Sequence, residues 1–111
     1  MSMHVETMTI GLPSKVRPIL DDIAGETPDQ KIAYLLLEAI RRNLEACERE
    51  QLDLEIKYGL EYEDFKRKLE TGEFGNDFEY VLEMDALRWG DLTVEKRHWL
   101  QQLSSLRVLS Q

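Results

Sequence analysis

The sequence predicts a mainly α-helical protein with one short strand near the N-terminus and a helical C-terminal extension. Three patterns predict this class: residues 6–12 alternate in polarity, a long helix signal begins at Thr27, and helix-period patterns fill residues 58–111. At 111 residues the chain has the length of one ordinary domain. Within it we expect a dimerising strand-helix-helix module over residues 1–57 and a partner-binding extension over residues 58–111.

Composition narrows the function classes. The net charge of −8 disfavours a general nucleic-acid binder. No apolar run approaches the ~20 residues of a membrane span, so no membrane partner is expected. The N-terminus lacks the basic start and apolar stretch of a signal peptide, so we expect a cytoplasmic protein. Cys47 is the single cysteine, which excludes a disulfide within the chain and predicts a buried structural thiol.

The first predicted element is a strand over residues 6–12. Apolar and small polar residues alternate there with the period of two that places them on opposite faces of a strand. One face would carry Met8, Ile10 and Leu12, and the other Thr7, Thr9 and Gly11. Pro13 would end the strand. So short a strand cannot persist alone in water, so a partner strand is required.

A short helix is predicted next. Ser14 can cap it, and its apolar positions run as far as Ile23 before Gly25 ends it. Pro18 falls in the first turn, where its missing N–H costs little.

The helix beginning at Thr27 organises the rest of the chain. Thr27, Pro28 and Gln30 form a capping box with proline at the first helical position. Its apolar arc covers roughly 200° of the surface, which predicts contacts on two sides, with the rest of the chain and with a second copy. The predicted dimer core is Ile10, Ile32, Leu36 and Ile40. The central helix of a monomeric bundle is the alternative.

The pattern at the end of this helix fits two kinds of element. Residues 52–58 alternate strictly, so a strand competes with a helix there. We favour the helix because Glu, Gln and Lys dominate the intervening positions and no breaker precedes Gly59.

Two helical segments are predicted in the second half. Glu63 and Asp64 open the first, which carries Phe65 and ends near Gly72. Asn76 can cap the second. In this second segment Tyr80, Met84 and Leu87 share a face, and Trp89, Leu92, Trp99, Leu103 and Leu106 then follow a heptad rhythm.

The strand ending in Leu12-Pro13, the short helix, the Gly25-x-Thr27 turn and the capped helix together resemble the ribbon-helix-helix fold of dimeric repressors and antitoxins. The resemblance covers residues 6–47. It implies that two chains pair their strands into a ribbon that enters the DNA major groove, and that the second helices form the dimer core. The DNA-binding residues it implies are Thr7, Thr9, Gly11, Lys15 and Arg17. Threonine and glycine offer weak base readout, so Lys15 and Arg17 would supply phosphate contacts.

The acidic, aromatic extension resembles the toxin-wrapping part of type II antitoxins. This resemblance implies an antitoxin that sequesters a basic toxin protein, with operator DNA as a further partner through autoregulation. Its partner-binding residues would be Phe65, Phe74, Phe78, Tyr80, Trp89 and Trp99. The alternative is a helical homodimeric adaptor without DNA binding. A carboxylate-rich metal enzyme is a third hypothesis, but no catalytic motif is present, so we expect no enzyme, no cofactor and no metal.

Overall fold

The computed structural model describes residues 6–75 and 79–109, and this part of the chain is all helical. Its elements are a 3₁₀ turn at Ser14–Val16, α1 (Arg17–Asp21), α2 (Pro28–Tyr58), α3 (Tyr62–Glu70) and α4 (Glu79–Leu109). The chain forms two compact units, residues 1–35 and residues 36–111, so α2 begins in the first unit and continues in the second. The predicted modules, 1–57 and 58–111, divide the chain at a different point. No described helix has both the length and the apolar character needed to cross a membrane.

The N-terminal strand is absent. Residues 6–12 adopt no regular structure, and the side chains of Met8, Ile10 and Leu12 are exposed. The predicted strand is therefore wrong, and the ribbon-helix-helix fold that depended on it is wrong as well. The physical reason is that the backbone groups of a strand must pair with a second strand, and no described segment provides one. Alternation over seven residues indicates only which side chains could share a face.

The first unit contains less helix than the sequence predicts. The helix expected from Ser14 to Ile23 is divided into the 3₁₀ turn and the five-residue α1, and no side chain caps either of them. Pro18 lies in the first turn of α1, as predicted. The ammonium group of Lys31 donates a hydrogen bond to the carbonyl oxygen of Ile23 and so satisfies an acceptor just beyond the end of α1.

The start of α2 confirms the predicted capping box. The hydroxyl oxygen of Thr27 accepts a hydrogen bond from the backbone N–H of Gln30 at 3.2 Å. The side-chain oxygen of Gln30 accepts one from the backbone N–H of Glu26 at 2.7 Å. The hydrogen bond that Gln30 accepts therefore comes from Glu26, the residue before the cap, and not from Thr27 itself. Two backbone N–H groups, those of Glu26 and Gln30, are satisfied, which is the number that the motif requires. The helix continues unbroken to Tyr58, so the helix predicted in place of a strand over residues 52–58 is confirmed.

The turn before α2 requires glycine at position 25. Gly25 has φ +126°, and an added Cβ would lie 3.0 Å from the Cβ of Gln30 and from the backbone N of Lys31. We expect Gly25→Ala to destabilise this turn by about 1–3 kcal/mol, because both the backbone conformation and the space oppose a side chain. Amide hydrogen exchange over residues 17–31 should become faster. Gly11→Ala is the control, since nothing lies within 4 Å of its added Cβ. Equal exchange in the two variants would contradict the assignment.

In the second unit, α2 and α4 run antiparallel. Contacts move toward the end of α4 as they move back along α2: Lys57 binds Asp85, Glu50 binds Arg88 and Glu48 binds Lys96. Helix α3 packs at the end of this pair where α2 finishes, through contacts of Phe65 with Tyr58 and Trp89.

An aromatic cluster forms the core at that end. Trp89 and Phe65 are 1% and 0% exposed, and their ring centroids are 4.9 Å apart. Leu82 completes the buried set, and Tyr58 and Phe74 pack against it half-buried. Farther along the α2 and α4 pair, the buried residues are Ile40, Leu44, Cys47 and Leu92. Cys47 is therefore a buried thiol, as the sequence predicts.

Candidate interaction face on helix α4

Helix α4 carries apolar residues on two sides. Its core side includes Leu82, Trp89 and Leu92, all buried. The other side carries four exposed apolar residues, which we call the outer stripe: Tyr80, Met84, Leu87 and Val94, exposed by 74%, 48%, 65% and 62%. At about 100° per residue, Tyr80 and Trp89 point about 180° apart around the helix. The core therefore leaves the outer stripe uncovered.

Two clefts lie between α2 and α4 beside the outer stripe. The first, the Arg88 cleft, has a volume of about 600 Å³ and is lined by Asn43, Ala46, Cys47, Glu50, Arg88, Val94, Glu95, His98 and Trp99. The second, the Leu106 cleft, has a volume of about 330 Å³ and is lined by Leu36, Ala39, Ile40, His98, Trp99, Gln102, Ser105 and Leu106. His98 and Trp99 belong to both clefts, and Val94 belongs to both the first cleft and the outer stripe. The outer stripe and the two clefts thus form one continuous surface, which we call the candidate interaction face.

Arg88 is held by two carboxylates at the first cleft. Its guanidinium binds both carboxylate oxygens of Glu50, at 2.8 and 2.7 Å, and one of Glu95 at 3.2 Å. Hydrogen bonding to Glu50 raises the pKa of Arg88 above its ordinary value, and the hydrogen bond from Arg88 lowers the pKa of Glu50. The positive charge is therefore already compensated, so the cleft is poorly suited to binding an anion.

The thiol of Cys47 lies in a setting that suppresses its reactivity. Burial raises the pKa of Cys47, and the negative charge of Glu95 raises it further. The thiol donates a hydrogen bond to a carboxylate oxygen of Glu95, with 3.7 Å between sulfur and oxygen. A nucleophilic cysteine needs the opposite environment, with a nearby positive charge that stabilises the thiolate. Although His98 lines the same cleft, this pair does not form an activated nucleophile.

The described ranges 6–75 and 79–109 contain no group of three or more His, Cys, Asp or Glu side chains arranged to bind a metal ion. The side chains of the clefts are mostly apolar or already paired, so the surface is suited to binding another molecule by contact.

The structure does not assemble the predicted DNA-binding residues into a ribbon. Thr7, Thr9 and Gly11 lie in irregular chain, Lys15 lies in the 3₁₀ turn and Arg17 begins α1. All five are exposed. Without the strand, nothing aligns the first three along a DNA groove.

The predicted dimer-core residues are separated. Ile10 is exposed, and Ile32 is half-buried in the first unit. Leu36, which is exposed, and Ile40, which is buried, both line the Leu106 cleft.

The predicted partner-binding aromatic residues fall into different environments. Phe65 and Trp89 are buried in the core, and Phe74 packs against it. Tyr80 lies on the outer stripe, and Trp99 is half-buried between the two clefts. Phe78, like the predicted cap Asn76, lies outside the described residues. Of the five described residues in this set, only Tyr80 and Trp99 lie on the candidate interaction face.

Several residues of this face were not among the predicted site residues. Met84 and Leu87 were predicted to share a side of the helix with Tyr80, but not to bind a partner, and Val94 continues the same spacing. That spacing was the available signal. No spacing along the sequence could have indicated the clefts, because each is lined by residues of both α2 and α4, which are distant in sequence. Comparison with protein-family models, with curated proteins and with solved structures gives no match to this chain.

Proposed function

We propose that this protein is a helical adaptor that acts by binding other protein surfaces through the candidate interaction face of α4. The observation that supports this most is the outer stripe, since Tyr80, Leu87 and Val94 are each more than half exposed on a helix whose buried residues, Leu82, Trp89 and Leu92, lie on other sides. Contiguous exposed apolar side chains on a folded domain typically mark an interaction site.

The composition of the face agrees with this role. Tyrosine, tryptophan, methionine and arginine are the residues enriched at protein interfaces, and this surface carries Tyr80, Trp99, Met84 and Arg88. The buried, carboxylate-linked thiol of Cys47 and the compensated charge of Arg88 offer no reactive group. The proposed adaptor works by contact.

The toxin-binding role implied by the antitoxin resemblance is a special case of this proposal and stays a prediction. Glu79 and Glu83 flank the outer stripe, Asp91 lies within it, and none of the three forms an ion pair within residues 6–75 and 79–107. These unpaired acidic side chains favour a basic partner, because attraction between opposite charges speeds the encounter of two proteins.

Site-specific photocrosslinking in cells tests the adaptor role. A photoreactive residue at Leu87 should form covalent adducts with protein, whereas one at Ile56 should not, because Ile56 is 71% exposed on α2 and lies away from the stripe. Adding Tyr80→Glu should abolish the Leu87 adduct, since a charge beside the probe opposes burial of the stripe. Equal adducts at the two positions, or none at Leu87, would overturn the proposal.

A further inference from the structure

We propose that a second copy of this chain occupies the outer stripe, with the two α4 helices packed antiparallel. This inference rests on the proposed function, because it names the partner of the same face. It places the dimer contact on α4, away from the absent N-terminal strand.

The spacing of the stripe is that of a helix-pairing seam. Tyr80, Met84 and Leu87 are separated by four and then three residues, and Val94 lies seven residues after Leu87. These are the a and d positions of a heptad, in which Asp91 and His98 occupy the remaining a positions. Measured around the axis of α4, the stripe lies roughly a third of a turn from the side that faces α2 and roughly a third of a turn from the side that faces α3. Neither helix covers it, so a second helix can lie along this seam.

Charges beside the seam favour the antiparallel arrangement. When Met84 of one copy faces Val94 of the other, Glu83 lies next to Arg97 of the other copy, and symmetry produces this pair twice. Both side chains are exposed, and neither has an ion-pair partner in the described part of the chain, so both are available to the second copy. A parallel arrangement would leave Arg97 without this contact.

One residue weakens the seam. Near the symmetry axis, Asp91 of one copy lies close to Asp91 of the other, and like charges at short distance repel. The seam is also short, so we expect a dissociation constant on the order of 10 µM, in the range of weak, exchanging interfaces. Asp91→Asn should lower this constant several-fold.

Sedimentation equilibrium of the full chain tests the position of the contact. The wild-type chain should pass from monomer to dimer across the micromolar range. Leu87→Glu should remain monomeric at concentrations at least tenfold higher, and Ile56→Glu, the exposed control on α2, should dimerise like the wild type. Circular dichroism would verify that both variants keep their helices. A wild-type chain that is monomeric at hundreds of micromolar would overturn the inference, as would equal losses in the two variants.

A charge exchange tests the orientation. Glu83→Arg and Arg97→Glu should each weaken the dimer about tenfold, because each replaces two attractions by two repulsions. The double variant Glu83→Arg with Arg97→Glu should restore most of the wild-type affinity. Additive losses would overturn the antiparallel pairing.

The two proposals fail in different ways. If the purified chain is monomeric while the Leu87 photocrosslink joins it to a different protein, the second-copy inference is wrong and the adaptor role stands. If Leu87 forms no adduct in cells, the adaptor role itself is wrong.

Discussion

Trp89→Ala is expected to lower the free energy of unfolding by about 3–5 kcal/mol, the usual cost of removing a large buried aromatic side chain. The indole is 1% exposed and contacts the rings of Tyr58, Tyr62 and Phe65, with centroids 6.3, 5.5 and 4.9 Å away. Its removal leaves a cavity where α2, α3 and α4 meet. Because domains are stable by only about 5–15 kcal/mol, a large fraction of that stability would be lost.

Urea denaturation followed by circular dichroism measures this effect. Tyr80→Ala is the matched control, because it removes an aromatic side chain from the same helix at a position that is 74% exposed. We expect the control to change the free energy of unfolding by no more than about 0.5 kcal/mol at protein concentrations where the chain is monomeric. Similar unfolding midpoints for the two variants would show that Trp89 is not a core residue.

The contrast between Tyr80 and Trp89 shows what the sequence could have revealed. Both were predicted to bind a partner because both are aromatic residues of the acidic extension. They are nine residues apart, which is about two and a half helical turns, so they cannot lie on the same side of one helix. Their separation implied that one would be buried when the other was exposed. Which one faces the core depends on the contacts with α2 and α3, and local pattern does not encode those contacts.

The start of α2 was predicted correctly because its signals are local, whereas the cap predicted at Ser14 is wrong. The hydroxyl of Thr27 and the amide of Gln30 act within one turn, and the structure shows both hydrogen bonds. The start of α3 is also close to its prediction, since Glu63 and Asp64 lie in its first turn. Such bonds depend only on residues within one turn, so the sequence can predict them where a helix begins at the expected residue, as at Thr27 but not at Ser14.

The strand failed because its stability depends on a partner that the pattern cannot supply. Alternating residues from Thr7 to Leu12 define two faces for any extended segment, but a strand forms only when its backbone groups are paired. The resemblance supplied that partner by assumption, as a second chain. The exposed Met8 and Ile10 in irregular chain show that the local pattern was insufficient.

The clefts were beyond prediction for a related reason. Trp99 and Leu36 line the same cleft although they are far apart in sequence, and only the antiparallel packing of α2 and α4 brings them together. The sequence did contain the apolar positions. The local pattern does not show how α2 and α4 are aligned against each other, and that alignment decides which apolar residues share a cleft.

Asp85→Ala is expected to cost about 1–3 kcal/mol at neutral pH, because it leaves two donors without their acceptor. The carboxylate of Asp85 accepts hydrogen bonds from the ammonium of Lys57, at 2.7 Å, and from the hydroxyl of Tyr58. Burial, the largest single influence, raises the pKa of Asp85, but the hydrogen bonds from Lys57 and Tyr58 together outweigh it and hold the pKa below its ordinary value. Burial, followed by the bond to Asp85, raises the pKa of Tyr58, so the phenol stays protonated.

The pH dependence of stability distinguishes this network from ordinary surface charge. A carboxyl group whose pKa is lower in the folded state stabilises the fold above its unfolded pKa of about 4, and this contribution is lost as the pH falls through the folded value. The difference in unfolding free energy between wild type and Asp85→Ala should therefore be constant from neutral pH down to about pH 5 and shrink below about pH 4. Asp91→Ala is the control, because Asp91 is exposed and has no ion pair in the described chain. At concentrations where the chain is monomeric, its free energy of unfolding should differ from that of the wild type by no more than about 0.5 kcal/mol at each pH. Urea denaturation at pH 3, 5 and 7 would measure both differences. An Asp85→Ala deficit that persists unchanged at the lowest pH would mean that the ionised carboxylate does not hold Tyr58 and Lys57 in place.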